Sequence, residues 1–473
     1  MGRWPASWPE EAYFIGIGGI AMVSLARVLA RRGVRVRGCD NALYPPASLL
    51  LADAAIDCAV PPTPEHLGRG DPLVVVGNAI SRGHPVLERA LERGLALASL
   101  PEVIERLLIP GRRVTAVAGT HGKTTTAALL SWIHASCGRD PGFLVGGLLE
   151  NFGEGARLGG GEDLILEADE YDSAFFDKGP KFLHYWPRIV VLGAVEFDHA
   201  DIYADLEAVE TAFSLLLRLL PATGVLVANG DDARVRRLAA EARCPVRWFG
   251  EDSAADLRAV DRRDHPAGQD FQVYRGSRRI AGVRFPLPGE HNARNALAAL
   301  LAFEAAGGDL VAGARALPTF LPPRRRLERL GRKGGARFYD DFAHHPSAVA
   351  QTLEALRAMG PGRVTVCLEP RSNTMVRRLV HEPLERALAL ADRVFIAPVD
   401  RPERMAPEER LDVAALAAAL RARGVEAEAP VSPDSMAARL LEDLQEGDRV
   451  VLMSNGAFGG LADRLRRSLE AGP

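Results

Sequence analysis

Gly119-Thr120-His121-Gly122-Lys123-Thr124-Thr125 gathers in one short run the groups that hold a polyphosphate. The two glycines free the turn so that backbone N–H groups can face inward, Lys123 offers a cation to the outer phosphates, and Thr124 offers a hydroxyl to Mg2+. An apolar strand over residues 114–118 enters the run and an apolar helix leaves it, the setting such a cradle requires. ATP or GTP with Mg2+ is the ligand this predicts. Position 117 is Val117 where the full motif opens with glycine. A glycine turn with an incidental lysine is the competing reading.

The acids that would accompany a nucleotide and its metal should stand at the carboxyl ends of neighbouring strands, where open α/β sheets place their sites. Two segments qualify. A strand over 163–168 runs into Asp169-Glu170-Tyr171-Asp172, and a strand over 189–192 leads to Glu196-Phe197-Asp198-His199-Ala200-Asp201. Clustered carboxylates need a cation, and a divalent metal beside the nucleotide supplies one. Solvated turn acids are the bland alternative.

Positioning these groups takes repeated strand-turn-helix units. The first starts at Tyr13, passes Gly16-Ile17-Gly18-Gly19-Ile20-Ala21 into a helix over 21–32, and returns as a strand over 34–39 closed by Asp40. That G-x-G-x-x-A turn alone is compatible with NAD. The cradle opens the second unit and a third begins near Arg337, each after a Pro/Gly/Arg-rich linker at 109–113 or 318–326. Short β-rich pieces at 246–249, 271–274 and 279–285 predict a small antiparallel elaboration of the middle unit. At about 150 residues per domain, 473 residues suggest about three domains. The expected class is α/β, divided at 1–110, 111–323 and 324–473.

The bulk properties narrow the partners. A net charge of −3 gives no general attraction to nucleic acid or an anionic membrane, so small molecules held by local sites are expected. The cysteines, at 39, 58, 137, 244 and 367, form no C-x-x-C pair, which suits a reducing compartment. Glu10 and Glu11 precede a first apolar run broken by glycines, unlike a signal peptide, and no apolar stretch approaches the ~20 residues that span a bilayer. A cytoplasmic protein is expected, its oligomeric state open.

The motifs together resemble the Mur ligase family. Its Gly-Thr-x-Gly-Lys-Thr signature is met at 119–124, and the likeness continues through Glu167-Ala168-Asp169-Glu170, Asp198-His199, His291-Asn292-Ala293-Arg294-Asn295, Arg324-Arg325-Arg326 and Asp340-Asp341-Phe342-Ala343-His344-His345-Pro346. The resemblance implies a Rossmann-like N-terminal domain for a UDP-sugar, a central P-loop ATPase domain and a Rossmann-like C-terminal domain for the incoming amine. It implies amide-bond formation through an acyl phosphate, with ATP held by Gly119, Thr120, His121, Gly122, Lys123, Thr124, Thr125, Asn292, Asn295, Arg326 and Asp341. Lys123, Glu170 and His199 would be catalytic, and Thr124, Glu170 and His199 would hold Mg2+.

Two positions depart from the family pattern: Ala194 replaces a usual asparagine, and Thr211-Ala212-Phe213-Ser214 stands where several members carry a carbamylated lysine. The branch that adds L-alanine to UDP-N-acetylmuramate also lacks that lysine. For the UDP-sugar, the resemblance points to Gly18, Gly19, Asp40 and Asn78. Glu170 to Lys178, Glu196 to Asp201, Glu369 to Met375 and Ser454 to Gly460 resemble the branch that joins the murein tripeptide L-alanyl-γ-D-glutamyl-meso-diaminopimelate to UDP-N-acetylmuramate in murein recycling.

Strands over 364–368 and 449–453 should lie side by side and parallel, with the loops Arg371 to Thr374 and Ser454 to Gly456 able to meet peptide carboxylates and backbone, Arg371, Ser372, Asn373 and Asn455 being the candidate contacts. Arg371 is the candidate for a bidentate clamp. Capping of a helix beginning near Thr374 is the competing role for Arg371 and Asn373. An L-alanine ligase, and a non-catalytic nucleotide-binding or NAD-dependent protein, remain as alternatives.

Overall fold

Runs such as Leu73–Val76 and Ile189–Leu192 are apolar at every position and wholly buried. Strands of that kind belong in parallel sheets covered on both faces. The computed structural model describes residues 8–470 and places them so. The chain forms two compact units. One holds the residues up to Val195 with Glu207–Leu257 and Leu297–Ala316; the other holds Glu196–Leu206, Arg258–Ala296 and the chain from Leu317 onward.

The first unit opens with a five-stranded parallel sheet in which Glu11–Ile15 is central, flanked by Arg35–Cys39 and Leu73–Val76. The helix Ile20–Arg31 covers it. A capping box closes this part: Ser99 accepts from the Glu102 amide while the Glu102 carboxylate takes the Ser99 N–H. The same unit contains the sheet built on Arg113–Ala118, which pairs in parallel with Asp163–Glu167 on one side and Ile189–Leu192 on the other. Behind it lies the helix Lys123–Ser136, buried on nearly all sides.

The second unit holds, from Arg258 onward, the antiparallel meander of the strands Leu257–His265, Gly268–Arg275 and Arg278–Phe285, and a six-stranded sheet. In that sheet Val364–Leu368 and Arg449–Met453 are parallel neighbours, as their apolar pattern implied. Phe338, Cys367, Phe395, Leu452 and Phe458 form the core beside it.

Two expectations change. The piece at 246–249 belongs to the parallel sheet, where Val246–Gly250 pairs with Val225–Asn229. The meander instead recruits Leu257–His265, whose charged sequence hid it. Its polar residues are only partly buried and its pairing shifts between Val260 and Arg263, with Asp261 in the left-handed region. The charged strand Glu328–Lys333, antiparallel to Ala336–Asp341 at a sheet edge, was hidden in the same way. Among the described residues no helix is long and apolar enough to cross a membrane.

Candidate active site

The cradle begins where Arg113–Ala118 leaves the sheet. Gly119 has φ +122°, and a Cβ there would stand 3.0 Å from the Ala194 carbonyl and the Gly193 amide nitrogen. Only glycine tolerates both conditions. Thr120 N–H donates to the Ala194 carbonyl at 2.7 Å, tying the turn to the next strand through backbone alone. Gly122, also left-handed at φ +78°, caps the helix that begins with Lys123.

The Lys123 ammonium donates to the Gly119 carbonyl and to Glu170 Oε2, both at 2.8 Å. Glu170 is 1% exposed. Burial disfavours the charge on Lys123, but Glu170 and Asp169 beside it outweigh that cost and raise its pKa. Thr124 donates to Glu167 Oε1 at 2.8 Å, and the other Glu167 oxygen takes the Gly146 N–H at 2.7 Å. Cation, hydroxyl and carboxylates therefore meet at the carboxyl edge of the sheet, an arrangement able to hold a triphosphate and a hard metal ion.

The departures at 117 and 194 have structural explanations. Val117 is still inside the sheet, its carbonyl accepting the Ala168 N–H at 2.8 Å, so the turn starts two residues later and needs no glycine there. Ala194 contributes a backbone carbonyl to that turn.

The N-terminal glycine turn is built differently. Gly16, at φ +81°, and Ile17 donate their N–H groups to the Cys39 carbonyl. Gly18 N–H donates to Asp40 Oδ2 at 2.8 Å, and a Cβ on Gly18 would stand 2.9 Å from that oxygen. Gly19 is exposed at the N-terminus of Ile20–Arg31, and Asn78 is exposed just beyond Leu73–Val76. No lysine enters this turn.

In the second unit Asp198 and His199 are buried, and His199 has φ +56°. Asp198 Oδ1 accepts the His199 N–H at 2.7 Å and the Thr374 hydroxyl at 2.6 Å. Burial works to raise the Asp198 pKa; His199, His344, His345 and the Thr374 hydroxyl outweigh it and hold the carboxyl well below the usual range. His345 contacts the Phe197 carbonyl, and Ser347 donates to Glu196 at 2.5 Å.

Asp341, buried, accepts the N–H groups of Leu327 at 2.7 Å and Ala343 at 2.9 Å. Burial raises its pKa. This pins the loop in which Arg326 lies 4.9 Å over the Phe342 ring. Asn292, at the start of Glu290–Ala305, donates to the Pro288 carbonyl and accepts from Asn295.

The loops after the parallel pair Val364–Leu368 and Arg449–Met453 converge. Arg371 stands 3.4 Å from Asp400 and packs on Gly456, while Ser454 donates to Glu369. Asn455 Oδ1 is buried with no hydrogen-bond partner. An orphaned acceptor is what a ligand's N–H would complete.

Family models match along the chain in order: the Mur ligase family catalytic domain over residues 11–111, the Mur ligase middle domain over 117–303, and the Mur ligase glutamate ligase domain over 325–456. A UDP-N-acetylmuramate–L-alanyl-γ-D-glutamyl-meso-2,6-diaminoheptandioate ligase of Escherichia coli is 37% identical over 464 residues, spanning 96% of this chain and 97% of that protein. The chain belongs to the Mur ligase family. A UDP-N-acetylmuramate–L-alanine ligase of Kineococcus radiotolerans is 38% identical over 396 residues, 82% of this chain and 81% of that one. The solved murein peptide ligase of Psychrobacter arcticus is 32% identical with a TM-score of 0.73, covering 97% of this chain and 98% of its own.

In this Mur ligase the structure brings Gly119, Lys123, Thr124 and Glu170 together, and Gly18 with Asp40. Asn292 and Asn295 meet each other, and Asp341 supports the Arg326 loop. His199 belongs to the second unit, whereas Thr124 and Glu170 belong to the first. Asn373 donates to Asp201 at 2.8 Å, and Ser372 accepts the Met375 N–H at 3.0 Å. The segment from Ser372 is a turn, and the next α-helix starts only at His381, so no helix begins near Thr374. Sequence reasoning put Thr374 only in the loop facing the peptide and not against Asp198, missed Asp400 and gave Glu167 no role. Glu167 was discoverable from its place at the end of a strand beside the cradle; Thr374 and Asp400 had no local signal.

Proposed function

We infer that this ATP-dependent, amide-bond-forming ligase joins L-alanyl-γ-D-glutamyl-meso-diaminopimelate to UDP-N-acetylmuramate in the cytoplasm, as a step of murein recycling. The observation that carries this reading is 37% identity, over nearly the full length, to a ligase of that name in a chain whose cradle holds the Lys123–Glu170 pair. The domains follow as 1–110 for the UDP-sugar, 111–323 for ATP and 324–473 for the peptide.

The muramyl carboxylate is a poor electrophile until an oxygen of it takes the γ-phosphoryl group of ATP, releasing ADP. The peptide's free amine then attacks the acyl phosphate, phosphate leaves, and the amine gives up a proton. Lys123 faces the charge that builds on the transferred phosphoryl group, and the preorganised turn holds the phosphates without reorganising. Gly119 to Thr125 cradle the phosphates, Asn292 and Asn295 meet the adenine, and Arg326, set by Asp341, reaches the nucleotide.

Thr124 and Glu170, the latter already beside the Lys123 ammonium, are hard oxygen donors of the kind Mg2+ takes, so the donor set fits the ion. With His199 they would hold Mg2+, which when bound neutralises phosphate charge. Gly18, Gly19, Asp40 and Asn78 serve the UDP-sugar. Arg371 takes a peptide carboxylate, while Ser372, Asn373 and Asn455 line the same loops.

The second reading, an L-alanine ligase, draws on the Kineococcus relative. Phosphate release from ATP, Mg2+ and UDP-N-acetylmuramate with either the tripeptide or L-alanine separates the two. Turnover with the tripeptide is expected, and product from L-alanine alone overturns the assignment.

A further inference from the structure

The segment Glu196–Leu206 follows a strand of the first unit in sequence yet groups with the C-terminal part of the chain. Hydrogen bonds from residues 148 to 176 positions away account for this. His345 and Ser347 hold its start, at Phe197 and Glu196. Its centre is held from one short turn: Asn373 Nδ2 donates to Asp201 Oδ2 at 2.8 Å, and Thr374 Oγ1 donates to Asp198 Oδ1 at 2.6 Å. The Thr374 oxygen also accepts the Ala200 N–H at 3.4 Å.

Thr374 is 2% exposed and Asp198 is 4% exposed, so this bond is sheltered from water, where a hydroxyl–carboxylate bond is strong. Asp198 in turn accepts the N–H of His199, whose left-handed backbone is costly for a residue with a side chain and persists only when its surroundings impose it. The chain of support therefore runs Thr374, Asp198, His199.

We propose that Thr374, with Asn373 beside it, is a positioning residue that sets His199 from the peptide-binding turn. The proposal rests on the reading of Arg371 to Asn373 as peptide contacts and of His199 as a group serving the nucleotide's metal. A peptide that orders the turn thereby orders His199, and by linkage a filled nucleotide site favours peptide binding. Thr374 itself touches neither substrate.

The test compares full-length wild type with Thr374→Val, which keeps the shape and removes both bonds, and Thr374→Ser, which keeps the hydroxyl. Two readouts are taken: amide hydrogen exchange over residues 198–203, and steady-state kinetics with ATP, Mg2+, UDP-N-acetylmuramate and tripeptide. Thr374→Val is expected to exchange about tenfold faster across that segment, to lose about tenfold or more in kcat, and to change the tripeptide KM little; Thr374→Ser recovers most of both losses. Unchanged exchange with unchanged kcat overturns the proposal. A rise in tripeptide KM alone also overturns it, because it makes Thr374 a direct peptide contact.

Should Thr374→Val not fold, Asn373→Ala removes the outer bond, and faster exchange at 200–203 in that variant is the required result. Exchange is read without turnover, so an enzyme that uses a different amine would sink the assigned reaction while leaving this outcome legible.

Discussion

Two glycine turns join a buried strand to a helix in this protein, and they differ in the charge set beside them. At Gly16–Gly19 the loop's own N–H at Gly18 is taken by Asp40, from the end of the adjacent strand, and Ile20 and Ala21 rather than a lysine follow the turn. At Gly119–Gly122 the turn is followed at once by Lys123, balanced by Glu170. The two strand–turn–helix units thus acquire opposite electrostatics, one from the acid at the end of the adjacent strand and the other from the lysine that opens its own helix. A turn that presents an acid suits the hydroxyls of a sugar, and one that presents a lysine suits the charge moved in phosphoryl transfer.

The sharpest way to separate the turns is Lys123→Ala. Turnover should fall by about a thousandfold or more, while UDP-N-acetylmuramate binding, measured calorimetrically, stays near wild type. Loss of both together would mean that the turns do not serve separate ligands.

Alanine at each left-handed glycine comes next. Gly119→Ala presses a Cβ against the backbone of Gly193 and Ala194, which cannot give way, and should cost about 1–3 kcal/mol in thermal or denaturant unfolding. Gly16→Ala meets only the flexible Ile80 side chain, 3.3 Å away, and should cost less. Equal destabilisation would show that the two turns are equally constrained.

A smaller effect is expected at the first turn's acid. Asp40→Asn keeps the shape but removes the charge, and should weaken UDP-sugar binding by about threefold to tenfold without moving the ATP KM. A shift in the ATP KM instead would contradict the division of labour.

The smallest expected effect is a flat line. The Lys123 pKa is raised in the folded protein, so its ion-pair contribution is fully present below the ordinary lysine value and is lost only as pH climbs through the higher folded one. The stability gap between wild type and a Lys123→Met/Glu170→Gln double variant, which leaves no unpaired buried acid, should therefore stay constant from about pH 6 to 9. A gap that narrows within that range would show that Glu170 does not hold the ammonium charged.

Much of the cradle was legible because its parts are contiguous: strand, glycine turn, lysine, hydroxyl and helix follow one another, and the same holds for the first turn. The parallel pairing of Val364–Leu368 with Arg449–Met453 was legible from buried apolar runs. Charged strands were not. Leu257–His265 and Glu328–Lys333 carry the arginines and acids that suit partly exposed strands, so their pattern reads as loop. Thr374 was equally hidden, since one threonine in a polar turn shows nothing of a carboxylate 176 residues earlier in the chain.

Local order along the chain therefore specified where phosphate, metal and sugar chemistry could occur, because backbone conformation and cradle geometry depend on neighbours in sequence. Which acid balances which donor was settled by folding: Glu170 with Lys123, Glu167 with Thr124, Asp40 with Gly18, Thr374 with Asp198. Those pairings depend on strand register and on loops brought together from distant segments, and a buried charge selects its partner by distance in space rather than separation along the chain.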